Sequence, residues 1–425
     1  MSRPGSTGYK NTWLWNIGFS AYWFSTQYKW FILLFIVIPA QVEKLVPGGE
    51  KNAAWGFVYG IGAIWGVIGP AIFGGWSDRF DSKWGHRQPF IAAGALITVA
   101  SLAFMMAANT IPLLVVGYFL LQLGEDVGQG PYAAMMPEIV PTEHAGRASA
   151  VMNMLQSASR LVSGLVFLVL VWKAGAFLFG AVYIGIIIVQ LLGAGVTLYT
   201  VRDVRRQESV SELPQDPFWQ RWLAPWKDSD FRWVWFTRFL STLAFAMVSN
   251  YFYYYLTDMF PNYQLFGLDL KDAKAGAITI VLAMSLMGVI GALIAAPLAD
   301  SWGRKPLIYL SGLSIFAILV PFALLHSLTA VFLLSIPFGI AFGIYVSADW
   351  ALATDILPDK NESGTQMGVW SMSVTSVQIV TGAVGPLIDM GNRFKMGVGY
   401  TGLIWTSGVI FAVSTILIKQ VKGSK

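Results

Sequence analysis

Six charged side chains stand inside stretches otherwise apolar enough to cross a bilayer: Lys29, Glu125, Asp126, Arg160, Arg238 and Asp349. An ionisable group near the bilayer centre costs roughly 2.5–3.5 kcal/mol or more unless it meets water or a partner. Groups retained at that cost mark solute pathways, proton relays or fixed ion pairs. Burial raises a carboxyl pKa and a nearby cation lowers it, so a carboxylate beside an amine or guanidinium can exchange a proton near neutral pH. Glu125 and Asp126 are therefore the candidates for proton coupling. The plainer alternative is a permanent ion pair with Arg160 that locks two helices together.

Spacing places other polar groups beside these charges. Gln122, Asp126 and Gln129 share one helix face, as do Asn153, Gln156 and Arg160, and as do Tyr22, Ser25, Thr26 and Lys29. Arg238 has Ser241 and Thr242 one turn on. Such stripes are expected to face a hydrated pathway rather than lipid. Trp23 and Tyr28 flank Lys29 and offer ring faces on which a sugar could stack, while Tyr251–Tyr255 reads as an aromatic belt at the outer membrane interface.

The elements that must hold these residues follow from composition. Of 425 residues, 56% are hydrophobic and 12% are charged, about half the charge of a soluble domain. Apolar stretches long enough to cross ~30 Å of hydrocarbon recur along the whole chain. They are placed near 12–40, 53–76, 89–108, 111–138, 147–172 and 175–200, then near 232–258, 274–299, 305–325, 328–355, 364–388 and 396–418. The fold class is thus an all-α membrane protein of about twelve transmembrane helices. The expected division is a bundle over 1–200, a cytoplasmic linker over 201–231 and a second bundle over 232–425. Lys and Arg crowd the segments that would be cytoplasmic if both termini were inside, among them Arg79, Arg87, Arg147, Arg202, Arg205, Arg206 and Arg304. The expected site is the plasma (inner) membrane. The segment Met1–Lys10 lacks the pattern of a removable signal.

Other classes find little support. Cysteine is absent, and His86, His144 and His326 are too scattered for metal ligation, so no cofactor is expected. No basic run is dense enough for nucleic acid, and no phosphate-cradling Gly-x4-Gly-Lys-Ser/Thr loop is present. An enzyme would need reactive groups converging at one interface, and none do. The partners expected are a small solute and the lipid bilayer, with the chain acting as a monomer.

The two halves echo each other. Glu138-Ile139-Val140-Pro141 leaves the fourth span and Asp355-Ile356-Leu357-Pro358 leaves the tenth. Gly74-Gly75-Trp76-Ser77-Asp78-Arg79, followed by Gly85-His86-Arg87-Gln88-Pro89-Phe90-Ile91, follows the second span, with Ala299-Asp300-Ser301 and Gly303-Arg304-Lys305 in the matching place after the eighth. Charges so placed can clamp neighbouring helix ends in one state and release them in another. Gly75, Asp78, Arg79, Gly85, Arg87, Asp300, Gly303 and Arg304 are the candidate gate.

The first of these loops resembles the loop 2–3 motif of the major facilitator superfamily. Its longer spacing resembles the form in glycoside–pentoside–hexuronide:cation symporters and sucrose transporters. The stretch Leu121–Pro131 is similar to the fourth span of sucrose transporters, but Gln122 and Ala133 stand where those place Asp and Arg. That departure moves any coupling carboxylate one turn away. The second span lacks the acidic residues of sodium-coupled melibiose-type relatives, which leaves H+ as the expected coupling ion. The resemblance implies two pseudo-symmetric six-helix bundles with spans one, four, seven and ten lining a central cavity. Each of those four spans carries a charge here, and of the other eight only the fifth does. The implied function is proton-coupled symport of a sugar or sugar-like solute by alternating access. An efflux antiporter and a non-transporting sensor are the alternatives.

Overall fold

The computed structural model describes residues 10, 12–46, 48–80, 82–141, 144–174, 179–203, 218–355, 369–370 and 372–422. Almost all of them are helical. The first span comprises α1 (Trp13–Ile32), a π turn (Leu33–Val37) and α2 (Ile38–Leu45). There follow α3 (Lys51–Arg79), α4 (Gln88–Ala107), α5 (Ile111–Ile139), α6 (Ala145–Ala174) and α7 (Phe179–Thr200). After the short α8 (Phe218–Leu223) come α9 (Ser229–Met259), α10 (Ala273–Trp302), α11 (Arg304–Phe322), α12 (Leu328–Asp355), α13 (Val377–Phe394) and α14 (Val398–Leu417). Among the described residues, 10 helices are long and apolar enough to cross a membrane. The two long helices outside that set, α9 and α13, carry Asp230, Arg232, Arg238 and Asp258, and Asp389 and Arg393. These polar side chains lower their hydropathy.

The ends of the helices follow from local chemistry. Thr12 caps α1 by accepting from Trp15 N at 3.2 Å, and Asp228 caps α9 by accepting from Phe231 N at 2.8 Å. Pro89 and Pro112 open α4 and α5, where a missing N–H costs nothing. Gly303, at φ 87°, makes the turn between α10 and α11, a conformation that disfavours any other residue. Between α9 and α10 a hairpin pairs β1 (Gln264–Leu265) with β2 (Leu268–Asp269). Residues 204–217 of the linker lie outside the described residues.

By contacts the chain forms two compact units. Unit 1 is Met1–Leu33 with Ile61–Gln215, and unit 2 is Leu34–Gly60 with Asp216–Lys425. The stretch 34–60, which the sequence assigns to the first bundle, thus groups with the second.

In unit 1, α1 packs on α6 and α7, and α4 on α5 and α7. Trp15, Phe19 and Tyr132 stack in its core. Gly94 of α4 lies so close to Gly128 of α5 that a Cβ would come within 2.5 Å of its backbone nitrogen. In unit 2, α10 and α12 meet backbone to backbone: a Cβ on Gly343 would lie 2.0 Å from the Gly288 carbonyl oxygen. Small residues permit this approach between helices in lipid, where packing rather than hydrophobicity drives association.

The tyrosine run does not form a lipid-facing belt. Tyr251, Tyr253, Tyr254 and Tyr255 are all buried, and each hydroxyl donates a hydrogen bond inside unit 2. Tyr253 bonds Glu43 and Tyr254 bonds the Pro39 carbonyl, so two of them anchor the 34–60 stretch. The error was one of environment. Helical periodicity cannot distinguish a lipid-facing aromatic from one facing a polar neighbour.

Candidate functional site

In unit 1, α1 delivers Lys29 to α5. The Lys29 ammonium donates to Glu125 Oε2, and the side chains are 0% and 3% exposed. The amine also sits 5.1 Å from the centroid of the Trp30 ring. Glu125 Oε1 and Asp126 Oδ2 are buried and accept no hydrogen bond among the described residues. Asp126 turns toward α3, where only glycine leaves room: a Cβ on Gly69 would fall 2.5 Å from Asp126 Oδ2. Glu125 is thus paired with Lys29, while the adjacent Asp126 forms no ion pair among the described residues.

The structure departs here from two expectations. The partner of Glu125 is Lys29 rather than Arg160. Arg160 is exposed and pairs with no carboxylate among the described residues. The stripe formed by Gln122, Asp126 and Gln129 is also no open wall. Gln122 and Asp126 are buried against α3 and only Gln129 is half-buried. The stripe on α1 is likewise internal, with Ser25 against Gly193 and Tyr22 N donating to Thr197 Oγ1 at 3.0 Å. In both cases spacing gives a shared face but not the neighbour it meets. On α6, Asn153 is exposed and Gln156 half-buried, which leaves that stripe accessible. Trp23 is half-buried, edge-on to Tyr132 at 6.1 Å, and Tyr28 is buried, stacked on Phe24 at 6.3 Å.

In unit 2, α9 and α12 form a second buried pair. Arg238 Nη1 donates to Asp349 Oδ2, and the guanidinium lies 3.6 Å over the Trp370 ring. Asp349 is 1% exposed. The cation–π contact adds attraction that a desolvated ring makes appreciable. Trp370 was not singled out from sequence, because an aromatic on an apolar helix carries no distinctive signal.

A further polar network in unit 2 was also missed. Lys51 bonds Asp258 at 2.6 Å and Glu43 at 2.9 Å, and Tyr400 donates to Asp258 at 2.7 Å. Asp389 accepts from Asn52 Nδ2 and from Ala53 N, both at 2.7 Å, and so caps the start of α3 from α13. Asp258 and Asp389 lie at span ends, where charge is ordinary and raised no flag.

Between α3 and α4 of unit 1, Gly85 turns the chain at φ 106° and sends Arg87 inward. Arg87 donates to Ser77 Oγ at 3.1 Å and to Glu138 Oε2 at 2.6 Å. His86 Nε2 lies 2.8 Å from Glu138 Oε1. One carboxylate therefore ties the ends of α3, α4 and α5. Burial alone would raise the Glu138 carboxyl, but the close approach of His86 and the charge and hydrogen bond of Arg87 outweigh it and hold its pKa at about 2. Sequence reasoning used Glu138 only as a repeat landmark. The side chains of Asp78, Arg79 and Asp300 lie outside the described residues. Gly75 has open space beside it and Gly303 and Arg304 form the matching turn in unit 2.

Among the described residues no cluster of His, Cys, Asp and Glu could hold a metal ion. A family model described as Major Facilitator Superfamily matches residues 8–164 and 53–383. Similar curated proteins include the sucrose transport proteins SUC3 of Arabidopsis thaliana, 26% identical over 147 residues, and SUC4 of the same plant, 28% identical over 143. These alignments span 29% and 30% of the chain, and 24% and 27% of the two relatives. Among solved structures, that of the nucleoside transporter NupG (D323A mutant) is similar with a TM-score of 0.73, 14% identity and coverage of 96% of this chain and 100% of that one. A bacterial homologue of the human lysosomal transporter Spinster is similar with a TM-score of 0.65 at 14% identity, covering 98% of this chain and 96% of that one.

Proposed function

Because the chain belongs to the Major Facilitator Superfamily, we propose that it is a secondary active transporter that couples proton movement to uptake of a sugar or sugar-like solute. One observation carries the coupling claim: Glu125 pairs with the buried Lys29, the adjacent buried Asp126 has no ion-pair partner among the described residues, and each leaves one carboxylate oxygen without a hydrogen-bond partner. An uncompensated buried charge costs several kcal/mol, so the cluster binds one proton when closed off and yields it when water reaches it. Alternating solvent access then ties each proton to one conformational cycle.

The solute class is supported by the sucrose transport proteins and by the nucleoside transporter, whose solutes all carry a hydroxylated sugar ring. Trp23 offers a ring, while Gln129, Asn153, Gln156 and Arg160 offer donors that remain accessible. Lys and Arg asymmetry supports cytoplasmic termini in a plasma membrane. The test is uptake into proteoliposomes. Proton-driven uptake should vanish in Glu125→Gln and Asp126→Asn, while counterflow without a gradient persists. Full proton-driven uptake in both variants would overturn the coupling claim.

A further inference from the structure

Two hydroxyls on α1 are buried without a partner. Tyr22 and Thr26 are 0% and 1% exposed, and neither hydroxyl oxygen has a hydrogen bond among the described residues. A buried tyrosine hydroxyl ordinarily finds one. Tyr132 does so: its ring lies 4.9 Å from that of Tyr22, and its hydroxyl donates to the Phe19 carbonyl at 2.8 Å. A threonine inside a helix commonly turns its hydroxyl back onto its own backbone, as Thr200 does to the Val196 carbonyl at 2.8 Å. Thr26 makes no such bond.

Both hydroxyls stand beside the carboxyls of α5. Tyr22, Thr26 and Lys29 are four and three residues apart and share one face of α1. Lys29 directs that face at Glu125. The Tyr22 hydroxyl meets α5 at Gly128, where a Cβ would fall 2.1 Å from it. Gly128 comes three residues after Glu125 and so lies on the same side of α5. The hydroxyl is also within electrostatic reach of Glu125 and Asp126. Thr26 falls between that contact and the Lys29–Glu125 pair. The seam therefore holds two orphan donors, Tyr22 OH and Thr26 Oγ1, beside two orphan acceptors, Glu125 Oε1 and Asp126 Oδ2. The other titratable groups here are Lys29 and Tyr132. α3, α4 and α7 carry no charged residue along 61–76, 89–107 and 179–200, and Arg160 of α6 is exposed.

We propose that Tyr22 is a positioning residue for the Glu125–Asp126 site: its hydroxyl, helped by that of Thr26, donates to the carboxylate left when the proton departs, directly or across a bridging water. A donor to the ionised form favours proton release, and the gap at Gly128 leaves room for that donor. The transport consequence rests on the coupling reading above; the hydrogen-bond claim does not.

Dicyclohexylcarbodiimide attaches to protonated carboxyls in apolar surroundings and reads the claim without transport. In the purified full chain, peptide mass spectrometry gives the pH of half-maximal labelling at Glu125 and Asp126. That pH should rise by about one unit in Tyr22→Phe, a tenfold change in proton affinity. Thr26→Val should move it the same way by less, and decides the matter if Tyr22→Phe does not fold. Tyr132→Phe removes a similarly buried neighbouring hydroxyl and should leave it unchanged. An unmoved value in Tyr22→Phe, an equal shift in Tyr132→Phe, or no labelling of either carboxyl at any pH overturns the proposal.

Uptake separates this claim from the coupling reading. The pH profile of proton-driven uptake should move upward with the labelling in Tyr22→Phe, with counterflow retained. A labelling shift alongside full proton-driven uptake in Glu125→Gln and Asp126→Asn keeps Tyr22 as the donor and removes the coupling role of the carboxyls. Labelling that ignores Tyr22 removes this proposal whatever uptake does.

Discussion

Each half of the chain joins its first long helix to its fourth by a buried ion pair: Lys29–Glu125 in unit 1 and Arg238–Asp349 in unit 2. They are not copies. Aligning the Glu138 and Asp355 signatures sets Phe342 and Gly343 where unit 1 has Glu125 and Asp126. Asp349 therefore lies about two helical turns closer to the C-terminal end of its helix. Aligning Asp78 with Asp300 likewise sets Gly291 where unit 1 has Gly69. In unit 2 that seam closes by backbone contact, with a Cβ on Gly291 falling 2.1 Å from the Ile340 carbonyl oxygen. In unit 1 the same seam holds a carboxylate. The unit 2 pair is balanced, one cation to one anion beneath an aromatic ring, whereas the unit 1 cluster has an anion to spare. The matching seams therefore differ in one respect: unit 1 places a carboxyl where unit 2 has backbone against backbone.

The difference can be broken most severely at Asp349. Asp349→Ala removes the carboxylate from a largely enclosed guanidinium and should destabilise the protein by about 3–5 kcal/mol, read as a drop in melting temperature in detergent. Arg238→Met with Asp349→Leu should recover most of that loss. Lys29→Met should cost less, because its carboxyls can take up protons; its melting temperature should approach that of the parent as pH falls. A balanced response at both sites would remove the asymmetry.

Glycine substitution sharpens the contrast. Gly343→Ala drives a methyl into the Gly288 carbonyl and should cost about 1–3 kcal/mol with no change in the pH profile of uptake. Gly69→Ala drives its methyl into Asp126, so it should move that profile. If both alter stability alone, Asp126 is not the titrating group.

The smallest effect concerns Glu138, whose ties belong to neither pair. Its folded pKa of about 2 lies below the ordinary 4.5. Its stabilisation is therefore complete above pH ~4.5 and is lost as pH falls through about 2. With Glu138 26% exposed, Glu138→Gln should lower stability by about 1–2 kcal/mol at neutral pH. Denaturation midpoints of parent and variant should converge in acid.

Much of this was legible because hydrocarbon penalises charge so heavily. The spans, and Lys29, Glu125, Asp126, Arg238 and Asp349 as special residues, follow from that one rule. What stayed hidden was pairing. Residues three or four apart share a face of their own helix, but nothing in that spacing says Glu125 meets Lys29 rather than Arg160. Trp370 and the tyrosines of α9 were opaque for the converse reason: an aromatic side chain is cheap in lipid, against protein and at the interface alike. The π turn leaves only a proline as its trace.

Residues 34–60 give the second half its completeness. Without them Asp389 would lose both donors from the start of α3, Asp258 its lysine, and Tyr253 and Tyr254 their acceptors. A polypeptide cut to residues 216–425 would thus carry a set of stranded polar groups that lipid cannot satisfy. Although the chain is built by repetition, its later repeat is not a self-sufficient folding module: it is finished by a hairpin borrowed from the earlier one.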